Sequence, residues 1–158
     1  MVIVFRCAGC RAVLSAPVRE VPLPPLDGAP LPYELPDGGE CPPRLAPGTF
    51  AHDPDPYHLS WTHPPAGAPA AQPGAPYAVL GRGDVRGVAE VPRRRQGCCG
   101  PSGSQGPNLA CAGCGREVAV ETADCGTPQQ VAFTPDAVVL DPVIPDAVVP
   151  AVNPVPPG

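Results

Sequence analysis

The sequence predicts a small, mostly β domain that carries a long proline-rich insertion and an irregular tail. Short runs in which apolar and polar residues alternate occur near both ends of the chain, as half-buried strands require. Two Cys-x-x-Cys turns, Cys7–Cys10 and Cys111–Cys114, lie between such runs. The 158 residues include 28 prolines and 18 glycines, which leave little room for long helices.

The first element that we expect is a strand over residues 2–6, followed by the Cys7–Cys10 turn. The apolar residues Ala12-Val13-Leu14 then resume an extended segment before Pro17. Residues 1–20 therefore belong to the predicted β domain.

Residues 21–76 form the predicted insertion. Proline has no amide hydrogen to donate in a helix interior or a central strand, so this proline-dense region is expected to be loop and polyproline II, with at most edge strands. The stretch from Pro64 to Pro76, rich in Ala, Gly and Pro, is the expected flexible linker.

Residues 77–140 are expected to complete the β domain, with strands over 78–80, 85–91, 117–122 and 130–133. Gly83-Asp84 is typical of a turn, and Gly87 inside a strand pattern indicates a bulge or a close backbone approach. Residues 141–158 are expected to be a disordered tail rich in Pro and Val. The pentapeptide Pro-Asp-Ala-Val-Val occurs twice, starting at 135 and at 145, which is too few copies for a solenoid.

The two Cys-x-x-Cys turns together supply four thiolates, the ligand set that structural zinc prefers. The predicted ligands of one structural Zn²⁺ are Cys7, Cys10, Cys111 and Cys114. Gly115 suits the tight backbone path that follows such a turn. The long separation between the turns is no obstacle, because doubling a loop adds only about 0.6 kcal/mol, whereas structural zinc contributes roughly 10 kcal/mol.

The remaining cysteines leave alternatives open. One rival metal set combines Cys99 and Cys125 with the Cys111–Cys114 turn, is local in sequence and uses only one of the two turns. Otherwise Cys99 and Cys125 are expected to form a spatial pair, inert or redox-active, with Cys41 and Cys98 as incidental thiols.

Three histidines, His52, His58 and His63, occur close together but at spacings that match no single helical face. We interpret them as exposed loop residues rather than as a metal cluster. Asp53 and Asp55 each precede a proline and are interpreted as turn residues rather than as a catalytic acid and base.

The charge pattern argues against nucleic-acid binding. The formal net charge is −5, all ten basic residues are arginine, and only Arg93-Arg94-Arg95 forms a basic run. The apolar run at the N-terminus is too short for a signal peptide, and no stretch reaches the roughly 20 apolar residues of a membrane span. A cytoplasmic location without membrane association is therefore expected, and in that compartment cysteines favour metal ligation over structural disulfides.

The chain resembles a family of small, uncharacterised bacterial proteins from GC-rich genomes. The resembling segments are residues 2–17, 47–50, 83–87 and 106–125, and Gly-Pro-Asn-Leu-Ala-Cys at 106–111 is the most specific of them. The resemblance implies six matching cysteines, which are Cys7, Cys10, Cys99, Cys111, Cys114 and Cys125, and it implies no activity. The chain departs from the family at Gly126-Thr127-Pro128, where the family has a more hydrophobic stretch containing Trp. The paired turns also resemble those of zinc ribbons in general.

These observations favour a non-enzymatic, structural zinc-binding module that contacts a protein partner through its ribbon or its proline-rich loops. A first alternative is a thiol redox enzyme that uses Cys99 and Cys125 on a zinc-stabilised scaffold. A second is a weak nucleic-acid-binding zinc ribbon that uses Arg93–Arg95. The sequence gives no oligomeric state.

Overall fold

The structure is a computed structural model that describes residues 1–36, 40–56 and 75–145. The strands in these ranges are β1 (Val2–Cys7), β2 (Val18–Glu20), β3 (Thr49–Asp53), β4 (Tyr77–Leu80), β5 (Val88–Glu90), β6 (Leu109–Cys111), β7 (Glu117–Thr122), β8 (Gln130–Phe133) and β9 (Val138–Pro142). The helical segments in the same ranges are single 3₁₀ turns at Leu26–Gly28, Pro32–Glu34, Arg82–Asp84 and Pro92–Arg94.

The described strands form one nine-stranded sheet in the order β5-β6-β7-β8-β4-β3-β2-β1-β9. Neighbouring strands are antiparallel, except that β2 and β3 run parallel. The sheet curls into a half-barrel, because segments near its two ends also meet directly. The Arg86 N–H donates to the Leu14 carbonyl (2.8 Å) and the Ala16 N–H donates to the Asp84 carbonyl (2.7 Å).

The main core lies on the inner face of this curl. Phe5 of β1 lies between Phe50 of β3 and Phe133 of β8, with ring centroids 5.1 and 5.3 Å apart. Aliphatic residues from both halves of the sheet surround the three rings. Burial of these side chains is the main favourable contribution to folding that the described residues make.

A smaller cluster covers the outer face of the central strands. It contains Ala51, Tyr77, Val79 and Ala132 from β3, β4 and β8, together with Leu45 from the proline-rich region. These three strands are therefore buried on both faces, and every position of β4 and β8 and all but one of β3 is buried.

The expectation that residues 21–76 contain at most edge strands is wrong. Residues 49–53, which lie within the region assigned to loop or edge strands, form β3 between β2 and β4 near the middle of the sheet. Pro47 and Pro54 flank this segment without interrupting it, so its amide groups are free to pair. The expected linker falls largely on residues 57–74, outside the described residues.

The strand predictions at residues 2–6, 78–80, 117–122 and 130–133 are confirmed by β1, β4, β7 and β8. The strand expected over 85–91 is shorter, because the 3₁₀ turn Arg82–Asp84 precedes it and β5 begins only at Val88. The close approach expected at Gly87 is confirmed: its φ is +62°, and a Cβ there would clash with the carbonyl oxygen of Val13.

The chain beyond residue 137 contributes an additional strand. β9 pairs with β1 and extends through Asp141 and Pro142, so the expectation that the disordered tail begins at residue 141 is wrong for these two residues. Residues 146–158, including most of the second pentapeptide, lie outside the described residues. The zinc-ribbon resemblance stays a prediction, since the cysteine turns are borne here by a much larger curled sheet.

Candidate metal centres

The four cysteines of the two Cys-x-x-Cys turns converge on one point, and we refer to Cys7, Cys10, Cys111 and Cys114 together as the clasp. All four sulfur atoms lie within 4.8 Å of one another. The Sγ atoms of Cys7 and Cys114 are 3.6 Å apart, and those of Cys10 and Cys111 are 3.5 Å apart. A tetrahedral site with Zn–S bonds of about 2.3 Å has edges of roughly 3.8 Å, so the clasp could hold one such ion.

The two turns have the same sequence, Cys-Ala-Gly-Cys, and the same backbone hydrogen bonds. In each, the N–H of the first cysteine donates to the carbonyl five residues later, and the first cysteine's carbonyl accepts the N–H four residues later. The bonds are Cys7 N to Ala12 O (2.9 Å), Cys111 N to Arg116 O (2.7 Å), Arg11 N to Cys7 O (2.9 Å) and Gly115 N to Cys111 O (2.8 Å). Each turn therefore presents its two sulfurs in the same way.

The residue after each second cysteine is left-handed, with φ of 67° at Arg11 and 76° at Gly115. Glycine adopts this conformation without steric cost, whereas arginine is strained in it. The expectation that Gly115 suits the turn is confirmed, and the first turn reaches the same geometry at the expense of a strained arginine.

Glycine occupies the third position of each turn, and at Gly113 it allows the opposing turn a closer approach than a side chain usually permits. A Cβ on Gly9 would lie 3.6 Å from the Cys114 sulfur, and one on Gly113 would lie 3.2 Å from the Cys10 sulfur. The closest sulfur pairs also cross between the turns, since each joins one cysteine of the first turn to one of the second.

The clasp joins strands that are far apart in the sheet. Cys7 is the last residue of β1 and Cys111 the last residue of β6, and five strands separate β1 from β6 in the sheet order. Cys7 and Cys111 are buried among the core residues, whereas Cys10 and Cys114 are exposed. Further backbone bonds, from Ala8 N to Ala137 O and from Ala112 N to Gly87 O (both 2.9 Å), fix each turn to its surroundings.

Asn108 fixes the strand that leads into the second turn. Its side chain is fully buried and mimics a strand backbone: Nδ2 donates to the Glu121 carbonyl (2.9 Å) and Oδ1 accepts the Glu121 N–H (2.7 Å). The register between β6 and β7 shifts directly after it, between Leu109 and Ala110. Asn108 thus bridges an irregularity that would otherwise leave backbone groups unpaired.

The pKa values of two clasp thiols, Cys7 and Cys10, are shifted in opposite directions. Burial raises the pKa of Cys7, but two N–H groups of its own turn and two neighbouring thiols lower it more, to about 7. The pKa of Cys10 is lowered by a backbone hydrogen bond but raised by the neighbouring thiols and by burial, to about 11. Ionisation of Cys7 therefore opposes ionisation of Cys10, and a divalent cation among the sulfurs would remove this opposition.

The rival metal set, which combined Cys99 and Cys125 with the Cys111–Cys114 turn, does not come together in the structure. Cys99 and Cys125 belong instead to a second group with Cys98 and Asp124, whose ligand atoms also lie within 4.8 Å of one another and could hold a metal ion. Within it, Cys125 is disulfide-bonded to Cys98, not to the predicted partner Cys99, which is free and exposed. Cys98, expected to be an incidental thiol, is a central member.

The sequence pattern did not reveal Asp124 as a site residue, although it directly precedes Cys125. Its Oδ1 accepts the Cys99 N–H (2.8 Å) and its Oδ2 accepts the Cys98 N–H (3.4 Å). Burial raises the pKa of Asp124, but the surrounding backbone N–H groups outweigh burial and lower it. Cys41 lies apart from both groups, with its Sγ 3.5 Å from the Pro30 carbonyl oxygen, and burial raises its pKa.

The histidine interpretation is tested at one position. His52 lies on β3 rather than in a loop, with Nε2 3.8 Å from Glu20 Oε1. His58 and His63 lie outside the described residues. Among the residues that the structure does describe, neither group able to hold a metal contains a histidine.

Asp53 takes part in a buried network that the sequence did not predict. Its carboxylate accepts a hydrogen bond from Arg44 (3.0 Å), and Arg44 also donates to Gln130 Oε1 (3.1 Å) and to the Pro24 carbonyl (2.8 Å). Asp53 Oδ1 also accepts the Asp55 N–H (2.9 Å), which is the expected turn. The network ties the proline-rich region to the outer face of the sheet.

The basic run is partly neutralised by carboxylates. Arg94 pairs with Glu117 (2.5 Å), and Arg95 pairs with Glu121 (2.8 Å) and Glu90 (3.2 Å). Two of its three arginines therefore have acidic partners, and the Arg95–Glu121 pair is largely buried.

No protein-family model, curated protein or solved structure matches the chain. The helical turns in the described ranges are too short to cross a membrane. Inferences about function therefore depend on the geometry of the two cysteine groups.

Proposed function

We propose that the protein is a non-enzymatic binding module in which the clasp holds one structural Zn²⁺. The convergence of four cysteine sulfurs within 4.8 Å supports this proposal. Thiolates are soft ligands that favour zinc, and four of them close the coordination sphere, which leaves no position for a substrate or a reactive water. The ion would supply cross-linking and charge neutralisation rather than catalysis.

The place of the clasp in the fold also supports a structural role. It ties the end of β1 to the end of β6 across the opening of the half-barrel. The two turns are separated by about a hundred residues, so the cross-link closes a long loop and removes more chain entropy than a local site would. Such a link stabilises the inner core, to which Cys7 and Cys111 themselves contribute.

The free edge at β9 is the proposed contact for a protein partner. In the described ranges β9 pairs only with β1, so it is the last strand of the sheet on that side. Leu140 and Ile144 are 50% and 82% exposed there. An exposed edge strand with apolar side chains suits a partner that adds an extended segment to the sheet, because backbone hydrogen bonds and apolar contacts then form together.

Metal analysis of the purified, reduced protein tests the zinc proposal. We expect Cys10→Ser to lose one equivalent of zinc per chain relative to the wild type, because only three clasp ligands remain. Cys41→Ser, which removes a cysteine outside both groups, is the matched control and should keep the wild-type content. Equal zinc content in the wild type and in Cys10→Ser would rule out the clasp as a zinc site.

Partner binding is tested separately with an edge variant. Leu140→Asp should abolish the recovery of a protein that binds the wild type, and Val13→Asp, which places a charge at another exposed apolar position, should not. Recovery of the same protein by Leu140→Asp would show that contact occurs elsewhere.

A further inference from the structure

We propose that the second cysteine group is an oxidation-sensitive metal site. In its reduced state, Cys98, Cys99, Cys125 and Asp124 hold a borderline or soft divalent cation such as Zn²⁺, and formation of the Cys98–Cys125 disulfide expels it. The inference is independent of the clasp, because the two groups share no residue.

The loop that carries Cys98 and Cys99 packs closely against the turn that carries Asp124 and Cys125. Glycines bracket the two cysteines, and neither tolerates a side chain. A Cβ on Gly97 would clash with the Gly100 carbonyl oxygen and lie 2.7 Å from Asp124 Oδ2, and one on Gly100 would clash with the Ala123 carbonyl oxygen. This close approach brings sulfur atoms from both segments to one point.

Backbone hydrogen bonds fix both segments. The Asp124 carboxylate accepts the N–H groups of Cys98 and Cys99, and the Ala123 N–H donates to the Pro101 carbonyl (2.9 Å). The Cys125 carbonyl accepts the Tyr33 N–H (3.1 Å), which anchors the turn from the other side. The two segments are therefore held together by hydrogen bonds in addition to the disulfide.

The donor set depends on the redox state. With the thiols reduced, three sulfurs and one carboxylate oxygen are available, which is a sufficient set for tetrahedral zinc. With the disulfide formed, only Cys99 and Asp124 remain as ionisable donors, and two ligands do not retain the ion against water. Cys98 and Cys99 are exposed, so an external reagent reaches them without unfolding of the sheet.

The oxidant that balances this step is a low-molecular-weight disulfide. The Cys98 thiolate attacks one of its sulfurs, which forms a mixed disulfide and releases one thiolate. The Cys125 thiolate then attacks the Cys98 sulfur, forms the intramolecular disulfide and releases the second thiolate. Two protein thiolates lose two electrons in total, the external disulfide gains them as two thiolates, and the metal ion leaves.

Zinc content in the two redox states tests the inference on the full chain. The reduced wild type should bind two equivalents, and incubation with oxidised glutathione should lower this to one while peptide mapping shows the Cys98–Cys125 linkage. Reduced Cys99→Ser should bind one equivalent, and Cys41→Ser should behave as the wild type. Asp124→Asn, which keeps the Oδ1 acceptor for the loop amides, provides a second variant with weakened zinc binding if Cys99→Ser does not fold.

The inference is overturned if the reduced wild type and Cys99→Ser hold the same amount of zinc, or if the mapped disulfide forms without loss of zinc. A failure of the clasp proposal would look different. In that case Cys10→Ser would retain all of the zinc and Cys99→Ser would lose it.

Discussion

Removal of zinc from the clasp should destabilise the protein by several kcal/mol, and a Cys99→Ser background isolates this effect from the second group. An ion at a thousand times its dissociation constant stabilises the folded state by about 4 kcal/mol. Structural zinc sites bind with apparent free energies of about 10 kcal/mol or more at pH 7, which corresponds to dissociation constants of about 50 nM or less, so about 50 μM free zinc is enough for this 4 kcal/mol. For a domain of this size, each kcal/mol shifts Tm by roughly 2–4 °C, so chelation should lower Tm by at least about 8 °C.

The structure also predicts which parts of the protein lose order when zinc is removed. Phe5, Phe50 and Phe133 pack together without any contribution from the metal, so the centre of the sheet should stay ordered. Amides in the two cysteine turns, which the ion would hold together, should exchange with solvent much faster after chelation. Amides in the central strands β4 and β8 should remain protected.

Thermal unfolding followed by circular dichroism, with and without a zinc chelator, measures the stability, and hydrogen exchange locates the change. Cys10→Ser in the same background should melt near the chelated protein and should not respond to the chelator. A Tm that changes by less than about 2 °C on chelation would refute the reasoning, because it would mean that the ion contributes less than about 1 kcal/mol.

Five further substitutions, in three parts of the structure, test the geometry. Arg11→Gly should stabilise the protein by up to about 1 kcal/mol in urea unfolding, since it relieves left-handed strain at some entropic cost. Gly115→Ala at the equivalent position should destabilise it by about 1 kcal/mol. A change of the same sign in both variants would mean that the two turns are not equivalent. Arg44→Met should cost about 3–5 kcal/mol because it leaves the Asp53 carboxylate buried and unpaired, and the further change Asp53→Leu should recover most of the loss. The pKa of Asp124 is lowered by folding, so its contribution is present above its ordinary value of 3.8 and is lost as the pH falls through the folded value. In the form with the Cys98–Cys125 disulfide, where Asp124 would hold no metal, Asp124→Asn should therefore cost about 1 kcal/mol at pH 7 and little at pH 2, and a pH-independent cost would show that the amide contacts do not need the charge.

The clasp could be predicted from the sequence because its determinants are local. A Cys-x-x-Cys turn specifies its own hydrogen bonds, and the repeated Cys-Ala-Gly-Cys sequence brings the third-position glycine with it. The close approach at Gly87 was predictable for the same reason, since a glycine within a strand pattern often marks a place where another backbone comes close. The sequences of the turns do not, however, predict the nine-stranded sheet that carries them.

The central position of β3 could not be predicted from composition. The surrounding prolines indicated loop, but proline affects only its own amide and the residue before it, and residues 48–53 contain none. The Arg44–Asp53 pair depends on this placement, because the strand carries Asp53 to the buried outer face. The Cys98–Cys125 linkage could not be predicted for a different reason: two adjacent cysteines are almost equally close in sequence to Cys125, and the sequence alone does not show which of them faces it.

Breaking the cross-link would affect the fold differently at the two cysteine groups. The clasp joins turns from opposite parts of the sheet and includes two buried sulfurs, so its loss exposes core residues and separates β1 from β6. The second group joins one loop to one turn, and its free cysteine is exposed, so its ligands can exchange while the sheet stays intact. A site whose loss opens both turns and weakens the fold suits a structural ion. A site that can open without unfolding suits a response to the surroundings, and this contrast leads us to assign the structural role to the clasp and the redox response to the second group.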